Sequence, residues 1–180
     1  FLDLAKTTPD ETTQVMLDRA LRNVADLINE VRSMSRSLVP PTLKDLGFID
    51  AVNDLIESVR CAQAIAVELD YFDFDEDKIP ENQKLALYRI VQEQLNNIIK
   101  HARARHVSII LRLTEHNVLL QIKDDGIGFE LEKVKRGLGL SNIHNRAELF
   151  GGKALFTSSP DNGCEVNVCL PHAAGVTAIG

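Results

Sequence analysis

The sequence has no apolar run approaching the roughly 18 residues that a membrane-spanning helix needs, and it does not open on a signal-peptide pattern. Those absences exclude a span within the chain and predict a cytoplasmic polypeptide. Cysteine is scarce: Cys61, Cys164 and Cys169 cannot complete a disulfide framework and lack metal-ligand spacing, so reduced thiols are expected. Positive charge is also in deficit, with 20 Lys and Arg against 26 Asp and Glu and a formal charge of -6 over 180 residues. A chain of this balance offers no long basic footprint for a phosphate backbone, and the short stretch from His101 to His106 does not reverse that, so nucleic acid is excluded as a general partner.

Proline and glycine are missing from Glu11 to Leu38, where Leu17, Leu21, Val24, Ile28 and Val31 recur at helical spacing. The pattern predicts one long amphipathic helix, capped by Thr8 with Pro9 at its first position and ended by Pro40-Pro41. So broad an apolar face needs a partner helix, which residues 1–6 are too few to supply. A dimeric bundle or an upstream helix would cover it. Residues 42–47 read as a short connector.

From Phe48 the pattern becomes that of a mixed domain. Phe48 to Val59 and Pro80 to Ala102 carry helical periodicity, and a third helix is expected over Leu140 to Leu149, ending at Gly151-Gly152. Ala64 to Phe72 reads as a strand. Alternation at Val107, Ile109, Leu111, Leu113 and at Val118, Leu120, Ile122 predicts a hairpin, followed by strands over Ala154 to Ser158 and Glu165 to Leu170 joined by the turn Pro160 to Gly163. Strand pairs without room for crossover helices point to an α/β sandwich, one mixed sheet with helices on one face, rather than a doubly wound fold.

Four segments carry chemistry. Arg89, Glu93, Asn97 and His101 recur every four residues, with Lys100 beside the last, so they share one side of a helix. An ordinary solvated face also produces such a stripe. Asp124 ends a strand and opens Asp-x-Gly-x-Gly, where a carboxylate can accept from an exocyclic amine and Gly126 and Gly128 let a base approach the backbone. Gly137-x-Gly139 directly before a helix can bring amides to phosphates, although alone the pair is a weak signal and lacks a P-loop lysine. Gly151-Gly152 closes the order.

With these residues the chain resembles the ATP-binding half of bacterial two-component sensor histidine kinases, within the superfamily shared with gyrase-type and chaperone ATPases. It is most similar to the group of nitrate-sensor and lipid-fluidity-sensor kind. The resemblance runs from Glu11 to Pro171 and includes Ser33 to Leu38, Pro41, Leu46-Gly47 and Leu87 to Glu93. It implies a two-layer α/β sandwich of the GHKL or Bergerat type, preceded by a long helix from a dimerisation hairpin. Residues 1–41 would belong to that hairpin, mainly its second helix, 42–47 would be a linker, 48–172 the catalytic domain and 173–180 a tail.

The resemblance also implies roles. Glu93 and Asn97 match an N box in which Asn97 holds Mg²⁺ against the ATP phosphates, with Glu93 a further metal or catalytic candidate. Register selects Asn97 over its neighbour Asn96. Lys100 and His101 match the basic end of that box, Lys100 with a catalytic role beside its phosphate contact. Asp124, Gly126 and Gly128 match the adenine turn, and Gly137, Leu138, Gly139 and Leu140 the second glycine box, leading through Asn142 to Arg146. Cys164 stands beside the adenine where related chains usually carry a small hydroxyl residue, and the segment from Phe129 to Arg136 is short for a nucleotide lid. None of the five histidines fits the phosphoacceptor position, so that residue is expected upstream of this piece. The implied partners are a response regulator and a second copy through the hairpin, with no membrane contact by this piece but a parent that inner-membrane segments could anchor. A serine kinase of the anti-sigma-factor type and a non-catalytic dimerisation module are the alternatives.

Overall fold

The computed structural model describes residues 40–62, 64–131 and 138–172. The long helix expected from Glu11 to Leu38, Gly137 and the tail 173–180 lie outside the described residues. The chain divides into two compact units, Phe1–Pro41 and Thr42–Gly180, and the description below concerns the second.

The segment expected as a plain connector is a helical turn, α1 (Pro41–Asp45), whose Leu43 is buried in the core. Proline suits the first helical position because its missing N–H is unpaired there anyway. Gly47 then takes φ 96°, and α2 (Phe48–Ala62) begins. Its first amides are capped from far along the chain: Glu76 Oε2 accepts from Phe48 N at 2.6 Å and from Ile49 N at 3.2 Å. Glu76 sits in a 3₁₀ turn (Glu76–Lys78) that follows β1 (Ala66–Asp70).

Helix α3 (Glu81–Asn97) runs into a π turn over Ile98–Ala102, and Arg103 closes it in the left-handed region at φ 54°. The expected helix over 80–102 is therefore two pieces. Apolar residues at Leu87, Val91, Leu95 and Ile98 continue the helical spacing across the junction and all are buried, so the change of hydrogen-bond register leaves no mark in the hydrophobic pattern. Strands β2 (His106–Leu113) and β3 (Asn117–Asp124) form the expected hairpin, closed by Thr114, whose hydroxyl donates to the Asn117 carbonyl and accepts from its amide, both at 3.0 Å. Helix α4 (Leu138–Glu148), β4 (Lys153–Ser158) and β5 (Cys164–Pro171) complete the fold.

The five strands lie in the order β1-β2-β3-β5-β4. β1 and β2 are parallel, joined by the crossover through α3, and every other pair is antiparallel. The sheet is mixed, as expected, with this one parallel pair at its edge. Val107, Ile109, Leu111, Val118, Leu120, Ile122, Val166, Val168 and Leu170 point to one face and join Phe48, Val52, Ile56, Leu87, Ile90, Val91, Leu95 and Ile143 in one core cluster. Helices therefore cover that face. Each such side chain contributes about 1.5–3 kcal/mol by leaving water. The opposite face carries Arg112, Gln121, Lys123, Glu165 and Asn167, with Glu165 accepting from Gln121 at 2.9 Å and Asn167 at 2.8 Å.

Candidate functional site

Strand periodicity places the floor of the site. Asp124 continues the inward series Val118, Leu120, Ile122 at the end of β3, and Cys164 begins the inward series of β5. The two residues are direct partners in the antiparallel ladder, so the carboxylate and the thiol face the helices side by side. Asp124 is 3% exposed. Its Oδ1 accepts from the Gly126 amide at 3.0 Å, while its Oδ2 is buried with no partner. Burial pushes the carboxyl above its ordinary range, against the pull of the Gly126 and Cys164 amides. An unpaired buried acceptor costs about 1–3 kcal/mol, so an atom of this kind calls for a donor from an ordered water or a ligand.

The turn after Asp124 is held by backbone contacts that leave no room for side chains. A Cβ on Gly126 would stand 2.3 Å from the Ala102 carbonyl oxygen, and one on Gly128, at φ 58°, 2.0 Å from that of Ser159. Ile127 N donates to that same Ala102 oxygen at 2.8 Å. The π turn thus supplies the acceptor that fastens the glycine turn. Asp125 fastens it from the other side, its Oδ1 accepting from Arg105 N at 2.7 Å and His106 N at 2.9 Å, and those bonds hold its pKa down.

Above this floor lies a cleft of about 520 Å³ lined by Gln94, Asn97, Ile98, His101, Ala102, Asp124, Ile127, Gly128, Phe129, Gly139, Leu140 and Cys164. That volume lies within the about 300–1,000 Å³ of small-molecule sites. Asn97 lines the cleft and Asn96 is exposed outside it. Gly139, in the first turn of α4, packs so closely on α3 that a Cβ there would meet Glu93 Oε1 at 2.8 Å and Asn97 Oδ1 at 2.9 Å. Glu93 and Asn97 therefore present two side-chain oxygens at one place. Lys100 and His101 are exposed, and of the two only His101 lines the cleft. Gly137 and the Leu138 side chain lie outside the described residues.

Three residues in or beside the cleft carry no sign of that place in the sequence. Gln94 is 2% exposed although it sits in a polar run of α3. Ser158 accepts from Phe129 N at 2.9 Å and donates to the Gly163 carbonyl at 2.7 Å, tying the segment after the glycine turn to the β4–β5 connection. Gly163 itself, at φ 65°, would place a Cβ 1.9 Å from the Asp124 carbonyl oxygen. Sequence reading placed Gly163 in a turn but not against the site. Burial, and next the Asp124 charge, push the Cys164 thiol up to about 12, so it stays protonated. A neighbouring depression of about 410 Å³ at Glu68, His106, Ser108, Lys123 and Asp161 shares Asp124 with the cleft but includes neither Asn97 nor the pocket-lining glycines.

A mixed sheet covered by helices on one face, with a buried carboxylate on the cleft floor and a glycine-rich rim, is the architecture of a GHKL-type ATP-binding domain. The chain belongs to the family of histidine kinase-, DNA gyrase B- and HSP90-like ATPases, whose model matches residues 82–174. Among curated proteins it is similar to the sensor histidine kinase LiaS of Bacillus subtilis, 31% identical over 94% of this chain and 46% of that one. It is also similar to the signal transduction histidine-protein kinase/phosphatase UhpB of Salmonella typhimurium, 34% identical over 79% of this chain and 28% of that one. The chain thus spans less than half the length of these relatives. Among solved structures it shares its fold with the Acinetobacter baumannii histidine kinase AdeS, at TM-score 0.59 and 16% identity over 93% of this chain and 87% of that one. Among the described residues no helix is long and apolar enough to cross a membrane.

Proposed function

We propose that this chain is the ATP-binding part of a sensor histidine kinase, and that the whole protein moves the γ-phosphoryl group of ATP to a histidine outside this sequence and then to a response regulator. The observation that carries the reading is the buried, unpartnered Oδ2 of Asp124. It suits the exocyclic amine of adenine, and the keto oxygen of guanine at the same place would set acceptor against acceptor. Gly126 and Gly128 leave the base its approach.

Mg²⁺ fits the donor set. Glu93 and Asn97 supply hard oxygen atoms together, and no group of three or more His, Cys, Asp or Glu among the described residues could hold an ion alone, so the nucleotide phosphates would complete its shell. When bound, Mg²⁺ would neutralise charge on the transferring group. This chain's residues would orient and shield: Asn97 at the phosphate end, Lys100 as a cation and His101 as a polar ring at its rim, Leu140 and Ile127 as apolar walls. In this reading residues 1–41 belong to a dimerisation hairpin and 48–172 form the catalytic domain, with a second copy as the partner of the hairpin.

Calorimetry of ATP binding with and without Mg²⁺ tests the nucleotide claim, and no detectable heat at millimolar ATP overturns it. Joining a histidine-bearing upstream helical segment and recovering an acid-labile phosphoprotein would support histidine transfer. An acid-stable phosphoserine would point to the serine-kinase alternative.

A further inference from the structure

The turn between β4 and β5 lies outside the four segments that carry the nucleotide reading, yet it is bonded to the glycine turn. Ser158, the last residue of β4, is half-buried and pairs with Cys164 in the ladder. Its hydroxyl makes two bonds of opposite sense: it accepts from Phe129 N at 2.9 Å and donates to the Gly163 carbonyl at 2.7 Å. The first bond holds a residue of the cleft wall, because Phe129 lines the cleft and packs on the core cluster. The second is made to a fixed point. Gly163 is wedged against Asp124, where a Cβ would stand 1.9 Å from the Asp124 carbonyl oxygen, and Cys164, next in the chain, lines the cleft. Two backbone contacts run alongside: Asp161 N donates to the Ile127 carbonyl at 2.7 Å, and Gly128 abuts the Ser159 carbonyl. Those contacts survive a change of side chain at position 158, whereas the hydroxyl bonds do not.

We propose that Ser158 is a positioning residue for the nucleotide site: its hydroxyl is anchored on the Gly163 carbonyl beside the floor and fixes the backbone of Phe129 in the wall. The inference rests on the nucleotide-binding reading and adds to it a residue from outside the segments that carry that reading. A hydroxyl suits the task because it has one donor for the carbonyl and lone pairs left for the amide. Without it a partly buried N–H and C=O lose their partners together, and Phe129 is held by apolar contact, which has no preferred direction. The wall then no longer stands at a set distance from the floor.

The test is a double-mutant cycle in ATP binding by calorimetry, S158A against F129A, with S158T as the variant that keeps the hydroxyl. S158A should weaken ATP and ADP binding about tenfold, and S158T by no more than about twofold. In the F129A background the same S158A change should cost less than about twofold, because the ring it positions is gone. A loss of general stability would instead weaken binding equally in both backgrounds. Hydrogen exchange in the ligand-free protein gives a second readout: the Phe129 amide is protected in the wild type and S158T and exchanges faster in S158A, while the amides of β2 and β3 keep their rates. A folded S158A that binds ATP as the wild type does, or that loses the same factor with and without the Phe129 ring, overturns the proposal and leaves the nucleotide reading intact. Failure of the wild type to bind ATP at all overturns that reading instead. Should S158A not fold, S158C takes its place in the cycle. Its weak thiol should give a smaller loss that also vanishes in F129A, and an equal loss in both backgrounds counts against the positioning role.

Discussion

The two ends of the cleft are built by opposite means. At the end proposed for the base, Gly126, Gly128 and Gly163 press backbone against backbone around Asp124, and every space a Cβ would need on them is taken. At the end proposed for the phosphates, Lys100 and His101 stand in solvent on the π turn, and Glu93 and Asn97 are half-buried. The first end is complete before a ligand arrives. The second offers charge and donors that only a ligand and its cation can organise. A preformed base floor loses little freedom on binding, whereas exposed cations pay side-chain entropy for each contact and are screened by salt.

The sharpest way to break this contrast is Gly163→Ala. The new Cβ would stand 1.9 Å from the Asp124 carbonyl oxygen, at a φ of 65° that alanine resists. Because the obstacle is backbone inside the sheet ladder, no side chain can swing away. A loss of about 3 kcal/mol in urea unfolding is expected, together with loss of ATP binding. A stable, binding-competent G163A would mean that the base end yields, and the distinction between the two ends would fall.

How far the sequence could be read follows the same division. Alternation along β2 and β3 was legible because one face of the sheet is buried and the other wet, which imposes a period of two. The same period carries Asp124 onto the helix-facing side, so the strand pattern and the acidic turn pointed to one location. The π turn was not legible, since Leu95 and Ile98 are buried on either reading of the helix. Nor was Gln94: a glutamine between Glu93 and Leu95 looks like any solvated position, and only the assembled fold removes it from water. The capping of α2 by Glu76 was equally hidden, because a cap supplied from a distance leaves no mark at the helix start.

Asp124→Asn sharpens the comparison next. The variant replaces a carboxylate acceptor by an amide at a buried cleft oxygen without a partner, and ATP affinity should fall on the order of 10- to 100-fold, about 1.4–2.7 kcal/mol. Stability should move the other way. Folding raises the Asp124 pKa above its ordinary 3.8, so the stability it contributes is present below that value and is lost as pH rises through the folded pKa. Asp125 is its mirror image: the His106 and Arg105 amides depress its pKa, so its contribution is present above the ordinary value and lost as pH falls through the folded one. Unfolding curves across acid pH for D124N and D125N should therefore diverge in opposite senses from the wild type, D124N gaining relative stability toward neutral pH and D125N losing it. Parallel curves would mean the two carboxylates share one environment.

The smallest effect is expected at Lys100→Ala. The side chain is exposed and lies outside the cleft lining, so its contact with a phosphate would be made in high dielectric and paid for in side-chain freedom. The change should weaken Mg²⁺-ATP binding by less than about 1 kcal/mol, no more than about fivefold, and leave ADP nearly unaffected. Its salt dependence separates a surface cation from a site residue. If Lys100 acts from solvent, the difference between wild type and K100A in calorimetry should shrink as ionic strength rises past the point where the Debye length falls below about 8 Å. A loss as large as that of D124N, and insensitive to salt, would mean that the π turn closes over the nucleotide on binding. The phosphate end would then be as enclosed as the base end, differing from it only in when the enclosure forms.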